Sequence, residues 1–587
     1  SVPREKRAVW VVHGMGQQIP FETVDSLARG ILRVVPSQQI KPRLRTVKIG
    51  SQVLQRVELD IDSPAPDQNK NVRHYELHLY ESYWAPKTEG VAKLTDVVGF
   101  LWDGGSRGML NWFKSFKRAM FGGMAEFRIH WLTPVWLMFT MLILLALTVI
   151  NGVILAAAGA KSGIASLAAF HAHWCQLSAL ASCMIAVGFS FGAVLFIAGL
   201  GKPQEVSRVV HVCVSVIGWV TMAITGVVIV TTALLMVVIT RLDWKTTTCP
   251  NGGCVDAIGA PGSWLTHFRN GVRNFFDALP SAQMQGFATL AILATLGLVA
   301  LAMLIRAALR SSETPLAGNL ALLIMGSVAL LVNVGSAVGG AFIGLGWVQF
   351  SVLHGRWCVL QSPVWVWPFL ILFSAKVREI LVQYVGDVAI YIQPNKLDRF
   401  DEVRDKIKEA ARSVASAVFT AYSKEAPRQF LYDHVAVVGH SLGSVIVYDT
   451  LNRLMLDDWL AKNALQIAER TKAMVTFGSP LNKTAFLFTI QGSDTLHIRE
   501  RLASTVQPLI TSYRKFRELK WINVYSRNDI ISGKLKFYDL PGFQDDPVPP
   551  EAVQNIIDKD ASVPLVAHVS YWNNKTVWEQ LLAQIAP

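Results

Sequence analysis

Six stretches between residues 131 and 375 are long and apolar enough to span the roughly 30 Å hydrocarbon core of a bilayer, and no other feature constrains the fold so strongly. They cover residues 131–157, 177–200, 209–240, 287–305, 320–341 and 357–375. The third is longer than an upright crossing needs and is expected to tilt or to extend beyond the bilayer. The fifth is rich in glycine, and the sixth holds Pro363 and Pro368. Spanning helices tolerate such residues where neighbours satisfy the freed backbone groups. These runs account for the composition: 587 residues, 52% hydrophobic but only 17% charged, against about a quarter charged in soluble chains. A disordered chain, a collagen-like repeat and a disulfide-dense miniprotein are excluded. The net charge of +13, in so apolar a chain, points to the anionic face of a bilayer rather than to nucleic acid.

An even number of crossings returns the chain to the side it started from. Lys114, Lys117, Arg118, Arg128, Lys202, Arg208, Arg306, Arg310, Lys376 and Arg378 flank the runs on that side. The opposite loops carry fewer basic residues (Lys161, Arg241, Lys245, Arg269, Arg273, Arg356), partly balanced by Asp243, Asp256 and Asp277. This bias places both termini in the cytoplasm of a multi-pass protein of the inner or plasma membrane. All six cysteines (Cys175, Cys183, Cys213, Cys249, Cys254, Cys358) lie in the apolar third. Cys249 and Cys254 flank Pro-Asn-Gly-Gly in a loop on the far side, where a small disulfide is expected. A metal site is the weaker reading, since no second Cys or His pair accompanies them. No cleavable signal peptide is visible from Ser1 onward.

The polar ends read as two pieces of one domain: residues 1–100 and 386–587, separated by a linker at 101–130 and a helical block at 131–385. In the linker, Phe100, Leu101, Trp102, Leu110, Trp112, Phe113 and Phe116 interleave with Lys114, Lys117 and Arg118. That mixture suits either an amphipathic segment lying on the membrane or a helix packed on the polar domain. The first piece opens with an apolar strand, Arg7-Ala-Val-Trp-Val-Val12, running into His13-Gly-Met-Gly16. A helical stretch near 22–35 and strands at 53–61 and 74–82 follow. The second piece begins with a charged helical pattern at 401–423.

At 434–443 an apolar strand runs directly into Gly439-His-Ser-Leu-Gly443, and a helical pattern starts at Ser444. A nucleophile elbow needs this sharp strand-to-helix turn, which holds a serine in a strained backbone position. Side chains at Gly439 and Gly443 would collide with the neighbouring strand and helix. A serine hydroxyl also needs a base to take its proton and an acid to orient that base. In hydrolases built on this turn the order is Ser, acid, His. Downstream of Ser441 the histidines are His497, in a charged stretch, and His568, just before the final helical segment. His568 is the expected base. The expected acid is Asp529, on the loop after the strand Trp521-Ile-Asn-Val-Tyr525; Asp545 and Asp546 in a Pro-rich loop and Asp449 on the helix after the elbow are rivals. An oxyanion hole needs two backbone N–H groups. Leu442 is expected to supply one, and Met15 or Gly14 the other. His13 and His440 are expected to be structural. A further strand, Met474-Val-Thr-Phe-Gly-Ser-Pro480, ends at the same sheet edge, where open parallel sheets bind ligands.

Val11-Val-His-Gly-Met-Gly16, Gly439-His-Ser-Leu-Gly-Ser444 with Val445-Ile-Val-Tyr-Asp449, and Thr476-Phe-Gly-Ser-Pro480 resemble segments of the α/β-hydrolase lipases, in particular the DDHD-type intracellular phospholipases. The resemblance covers roughly 290 residues outside the helical block. It implies a mostly parallel sheet with helices on both faces, here split by an all-α transmembrane domain. It also implies a Ser441, Asp529, His568 triad that hydrolyses an acyl ester of a lipid. The block of spans between oxyanion strand and elbow departs from that family. Membrane-embedded lipid deacylases with a hydrolase head are a looser likeness.

The expectation is therefore a membrane-anchored serine hydrolase acting on a lipid or acyl ester. A thioesterase or a lipid or protein deacylase would use the same triad. A transporter with a regulatory head is disfavoured because ionisable residues mark ion pathways, and the spans hold almost none beyond His211 and the neutral Asn333. A dead scaffold is disfavoured by the intact triad order. No Walker loop, dinucleotide fingerprint or metal cluster is present in the sequence, so no cofactor is expected. The helical block also offers a surface through which copies of the chain could pair.

Overall fold

The structure, a computed structural model, describes residues 5–35 (17 excepted), 40–64, 72–113, 116–120, 123–127, 131–161, 174–199, 208–244, 277–309, 315–349, 363–392, 397–423, 428–491, 519–536 and 553–586, with a few single residues between them. Contacts divide the chain into two compact units. One is Ser1–Met138 with Ile380–Pro587, and the other is Phe139–Glu379.

The first unit is built on an eight-stranded sheet. Its strands are β1 (Glu5–Val12), β2 (Arg43–Ile49), β3 (Gln52–Pro64), β4 (Val72–Ser82), β7 (His434–His440), β8 (Thr471–Phe477), β9 (Lys520–Tyr525) and β10 (Val553–Ile557). A separate hairpin supplies β5 (Phe116–Met120) and β6 (Gly123–Phe127). The sheet order is β10-β9-β8-β7-β1-β4-β3-β2. Neighbours from β10 to β4 are parallel, and β3 and β2 add an antiparallel edge. Strands buried on both faces need apolar residues at nearly every position. β1 meets that demand, with Ala8 to Val12 fully buried.

Helix α1 (Glu22–Val34) follows β1, and α2 (Leu94–Asn111) follows β4. The second unit contains α3 (Leu132–Lys161, begun in the first unit), α4 (Trp174–Gly199), α5 (Arg208–Trp244), α6 (Ser281–Leu309), α7 (Pro315–Gly344) and the first half of α8 (Pro363–Ile392). Returning to the sheet, α9 (Leu397–Phe419) precedes β7, α10 (Leu442–Leu460) follows it, α11 (Leu481–Gln491) follows β8, and α12 (Lys575–Ile585) ends the chain. The architecture is α/β, with a mostly parallel sheet and an inserted helical region. On one face of the sheet, α1 and α12 pack into a shared core in which Leu27, Trp578 and Leu581 are fully buried. Gly30 lets them close up: a Cβ there would stand 2.2 Å from the Trp578 ring.

Among the described residues, five helices are long and apolar enough to cross a membrane: Leu132–Val153, Trp174–Ala198, His211–Val238, Ser281–Ala307 and Leu323–Gly344. Their side chains mesh around α4, where Leu177, Met184 and Val194 are buried. Asn333 of α7 donates to the Val187 carbonyl and Ser190 Oγ of α4, at 3.0 and 2.9 Å. Such interhelical bonds suit an apolar surrounding. The sixth expected run, 357–375, lies partly outside the described residues. Its described part is the start of α8, where Ser374 Oγ accepts a hydrogen bond from Asn151 of α3.

Among the described residues, the linker at 101–130 holds the second half of α2 and the β5–β6 hairpin. Strands β2 and β10 were not expected. β2 reads Arg-Leu-Arg-Thr-Val-Lys-Ile and lies mostly exposed at the sheet edge, so burial has imposed no apolar pattern on it. Cys249, Cys254, Cys358, His497, Asp545 and Asp546 lie outside the described residues.

Candidate active site

Every residue expected in the site lies beyond the carboxyl end of a parallel strand. Ser441 follows β7, His13 to Met15 follow β1, Gly478 follows β8, Asp529 follows β9 and His568 follows β10. These strands are neighbours in the order β10-β9-β8-β7-β1, so residues far apart in sequence meet at one edge.

Ser441 has φ 52° and ψ −128°, in the left-handed half of backbone space, at the first turn of α10. Two glycines permit that conformation. A Cβ on Gly439 would stand 2.5 Å from Ser444 Cα, and one on Gly443 would stand 2.3 Å from the carbonyl oxygens of Val12 and His13. The elbow is pinned by the Ser441 N–H, which donates to the Phe477 carbonyl at 3.0 Å. Ser444 Oγ adds bonds to the Ser441 carbonyl at 2.5 Å and to Ser479 Oγ at 2.7 Å.

The structure brings Ser441, His568 and Asp529 into one hydrogen-bonded chain. Ser441 Oγ and His568 Nε2 are 2.8 Å apart, and His568 Nδ1 lies 2.9 Å from Asp529 Oδ2. With Asp529 as acceptor, the imidazole proton belongs on Nδ1, which leaves Nε2 free to accept from the serine. Asp529 Oδ1 accepts the Ile531 N–H at 2.8 Å, and Tyr571 O–H donates to Oδ2 at 3.0 Å. Burial pushes the Asp529 carboxyl up. The charge and hydrogen bond of His568, the Ile531 N–H and Lys483 outweigh it, holding the group well below the usual carboxylate range. The acid therefore stays ionised. Asp449, the rival on α10, accepts from Tyr391 O–H at 2.7 Å and belongs to a different contact.

The loop after β1 packs directly on the elbow. A Cβ on Gly14 would stand 2.9 Å from both Ser441 Cβ and His440 Nδ1. The N–H groups of Leu442 and Met15 make no hydrogen bond to another described residue. His13 anchors this loop. Its Nε2 accepts the N–H groups of Trp84 and Ala85 at 3.0 and 3.3 Å, and Nδ1–H donates to the Gly14 carbonyl at 2.8 Å. Burial holds His13 neutral, with its pKa lowered to about 4. His440 is likewise buried, its pKa lowered to about 3 by burial and by the nearby His568, and its Nε2–H donates to the His568 carbonyl at 3.0 Å. It steadies the backbone at His568.

Sequence reasoning missed three supporting side chains. Asp387, near the end of α8, accepts the Gly16 N–H at 2.8 Å, and burial pushes its carboxyl up to about 6. Lys483 of α11 donates to the carbonyls of Ile530 and Ser532, bracketing the residue that binds Asp529. Burial lowers the Lys483 pKa to about 8. Tyr571 accepts the Ser526 N–H at 2.8 Å while it donates to Asp529. Only Tyr571, three residues after the expected base, carried any local signal.

Glu58, Glu76 and His78 bring potential metal-ligating atoms within 4.8 Å of one another. Arg45 and Arg56 already pair with Glu58 at 2.9 and 2.6 Å, and Arg43 reaches Glu76 at 3.5 Å. Those guanidiniums supply the positive charge a cation would bring, so the cluster reads as an ion-pair network.

No family model, no curated protein and no solved structure matches this chain.

Proposed function

We propose that this chain is a membrane-embedded serine hydrolase of the α/β-hydrolase type that cleaves acyl esters of lipids. The observation that carries the reading is the Ser441–His568–Asp529 chain, closed at 2.8 and 2.9 Å at a strand-to-helix turn that holds Ser441 at φ 52°.

In this mechanism Ser441 Oγ attacks the acyl carbonyl carbon as His568 Nε2 takes the hydroxyl proton. The carbonyl electron pair moves onto oxygen, where the N–H of Leu442 and that of Met15 or Gly14 receive it. Asp529 holds the Nδ1–H tautomer and balances the imidazolium charge. The tetrahedral adduct collapses, the ester C–O bond breaks, and His568 returns its proton to the departing alkoxide. Water, deprotonated by the same imidazole, then attacks the acyl-enzyme and releases the acid. No step requires a cofactor. The five long apolar helices favour a substrate that is itself a membrane component, with both chain ends in the cytoplasm.

Ser441→Ala is expected to lose about 10⁴-fold or more in turnover of a short-chain ester and to lose labelling by a fluorophosphonate. Retention of either property would refute the elbow assignment. A panel of phospholipid, neutral-lipid and thioester substrates, read against that variant, identifies the leaving group.

A further inference from the structure

Helix α2 has two apolar faces. Val97, Phe100, Leu101, Gly104, Gly105 and Gly108 form a buried stripe, recurring at the three- and four-residue spacing of one helix side. On the other side lie Trp102, Met109 and Leu110, and Trp112 and Phe113 follow in the turn that ends the helix. All five are exposed, Leu110 at 70% and Phe113 at 61%. So dense a cluster of large exposed apolar groups marks an interaction site.

The buried stripe shows where that face lies. A Cβ on Gly108 would stand 2.7 Å from Pro134, one on Gly105 would stand 2.6 Å from Met138, and one on Gly104 would stand 3.3 Å from Leu137. These three partners belong to the first two turns of α3, and the first candidate span begins at Leu132. Thus α2 rests against the very start of a helix fit to enter a bilayer. Tryptophan and other aromatics concentrate at that level of membrane proteins, where ring bodies meet acyl chains and polar edges meet headgroups. Charge agrees: residues 102–128 contain Arg107, Lys114, Lys117, Arg118 and Arg128 against Asp103 and Glu126.

We propose that the exposed apolar cluster of Trp102, Met109 and Leu110 on α2, with Trp112 and Phe113 just after it, docks into the headgroup boundary of an anionic bilayer. The inference needs only the membrane-spanning reading and is independent of the chemistry at Ser441. It does bear on that chemistry. The buried stripe of α2 also meets α11, where a Cβ on Gly104 would stand 2.8 Å from Leu487, and α11 carries the Lys483 that braces the acid loop. A lipid-seated α2 is therefore one helix removed from the triad.

The test uses the full chain, with the photocrosslinker p-benzoylphenylalanine in place of Leu110. It is reconstituted in vesicles of 3:1 phosphatidylcholine to phosphatidylglycerol and in phosphatidylcholine alone. The same probe in place of Arg29, exposed on α1, is the control. Crosslinks to phospholipid, well above the Arg29 control and several-fold more frequent in the anionic vesicles, are expected. Crosslinks mainly to a second copy or to another segment of this chain would overturn the proposal, as would a yield no higher than the control or indifferent to lipid charge. Because crosslinking needs no turnover, an inactive protein does not obscure the result. As a second readout, the triple variant Trp102→Ser, Leu110→Ser, Phe113→Ser should slow hydrolysis of a vesicle-borne ester several-fold while sparing a water-soluble short-chain ester. An equal loss on both substrates would count against the docking role.

Discussion

At the scale of single residues, the site depends on groups that never meet a substrate. Asp387 holds Gly16, whose φ of +91° sets the path of the loop after β1. Asp387→Ala should lower kcat for a short-chain ester by about 10- to 100-fold, with KM less affected, because an oxyanion donor displaced by a fraction of an ångström weakens the transition state most. Asp387→Asn keeps an acceptor oxygen and should restore most of the loss; equal deficits in the two variants would exclude this role. His13 gives a pH signature. Burial lowers its pKa to about 4 from the 6.5 of a free imidazole, so between those values the unfolded chain binds the extra proton. The stability contributed by the neutral imidazole is thus present above about pH 6.5 and lost as pH falls toward 4. Glu81 and Asp387, raised to about 7 and about 6 by burial, act in the opposite sense but are common to wild type and variant. The stability advantage of wild type over His13→Gln should therefore shrink by about 2 kcal/mol between pH 7 and pH 5. A constant gap in thermal midpoint would contradict the buried neutral assignment.

At the scale of elements, close helix packing rests on small residues. Gly30→Ala drives a methyl into the fully buried Trp578 ring, which α12 presents to α1. The overpacking should cost about 1–3 kcal/mol, less up to about 1 kcal/mol recovered in helix propensity. A lowered thermal midpoint in detergent is the expected reading, and an unchanged one would show that α1 and α12 are not so closely packed. The elements legible in the sequence were those whose burial forces a pattern. β1, β7, β8 and β9 are short apolar runs because parallel strands are covered on both faces, and α1 shows its stripe because one side meets the core. The edge strand β2 faces solvent along most of its length and carries no such imprint. For α2, the reading of a helix packed on the polar domain describes one side. Its glycine face is packed, and its aromatic face is bare.

At the scale of the whole molecule, β1 pairs with β7 across the entire insert, Arg7 to Val12 against His434 to Gly439. Chain before α3 and chain after α8 therefore share one side of any membrane the helices cross, and the number of crossings must be even. Five helices qualify by length and composition among the described residues, so the first half of α8 is the expected sixth crossing. With Cys358 as the sole cysteine, a membrane-impermeant maleimide should label it from the face opposite tags at either terminus. Labelling from the same face as the tags would remove α8 from the set of spans.

Local sequence determined where the apolar helices, the buried strands and the strand-to-helix turn at Ser441 lie. Bilayer length and strand burial are demands that neighbouring residues must meet by themselves, so the apolar runs, the glycines of the elbow and the Ser, Asp, His order are written in the chain. Only the tertiary structure decided which distant groups support them. Asp387, Lys483 and the α2–α3 contact lie beyond the reach of any local pattern, because a single side chain that meets its partner through space leaves no periodicity in the chain around it.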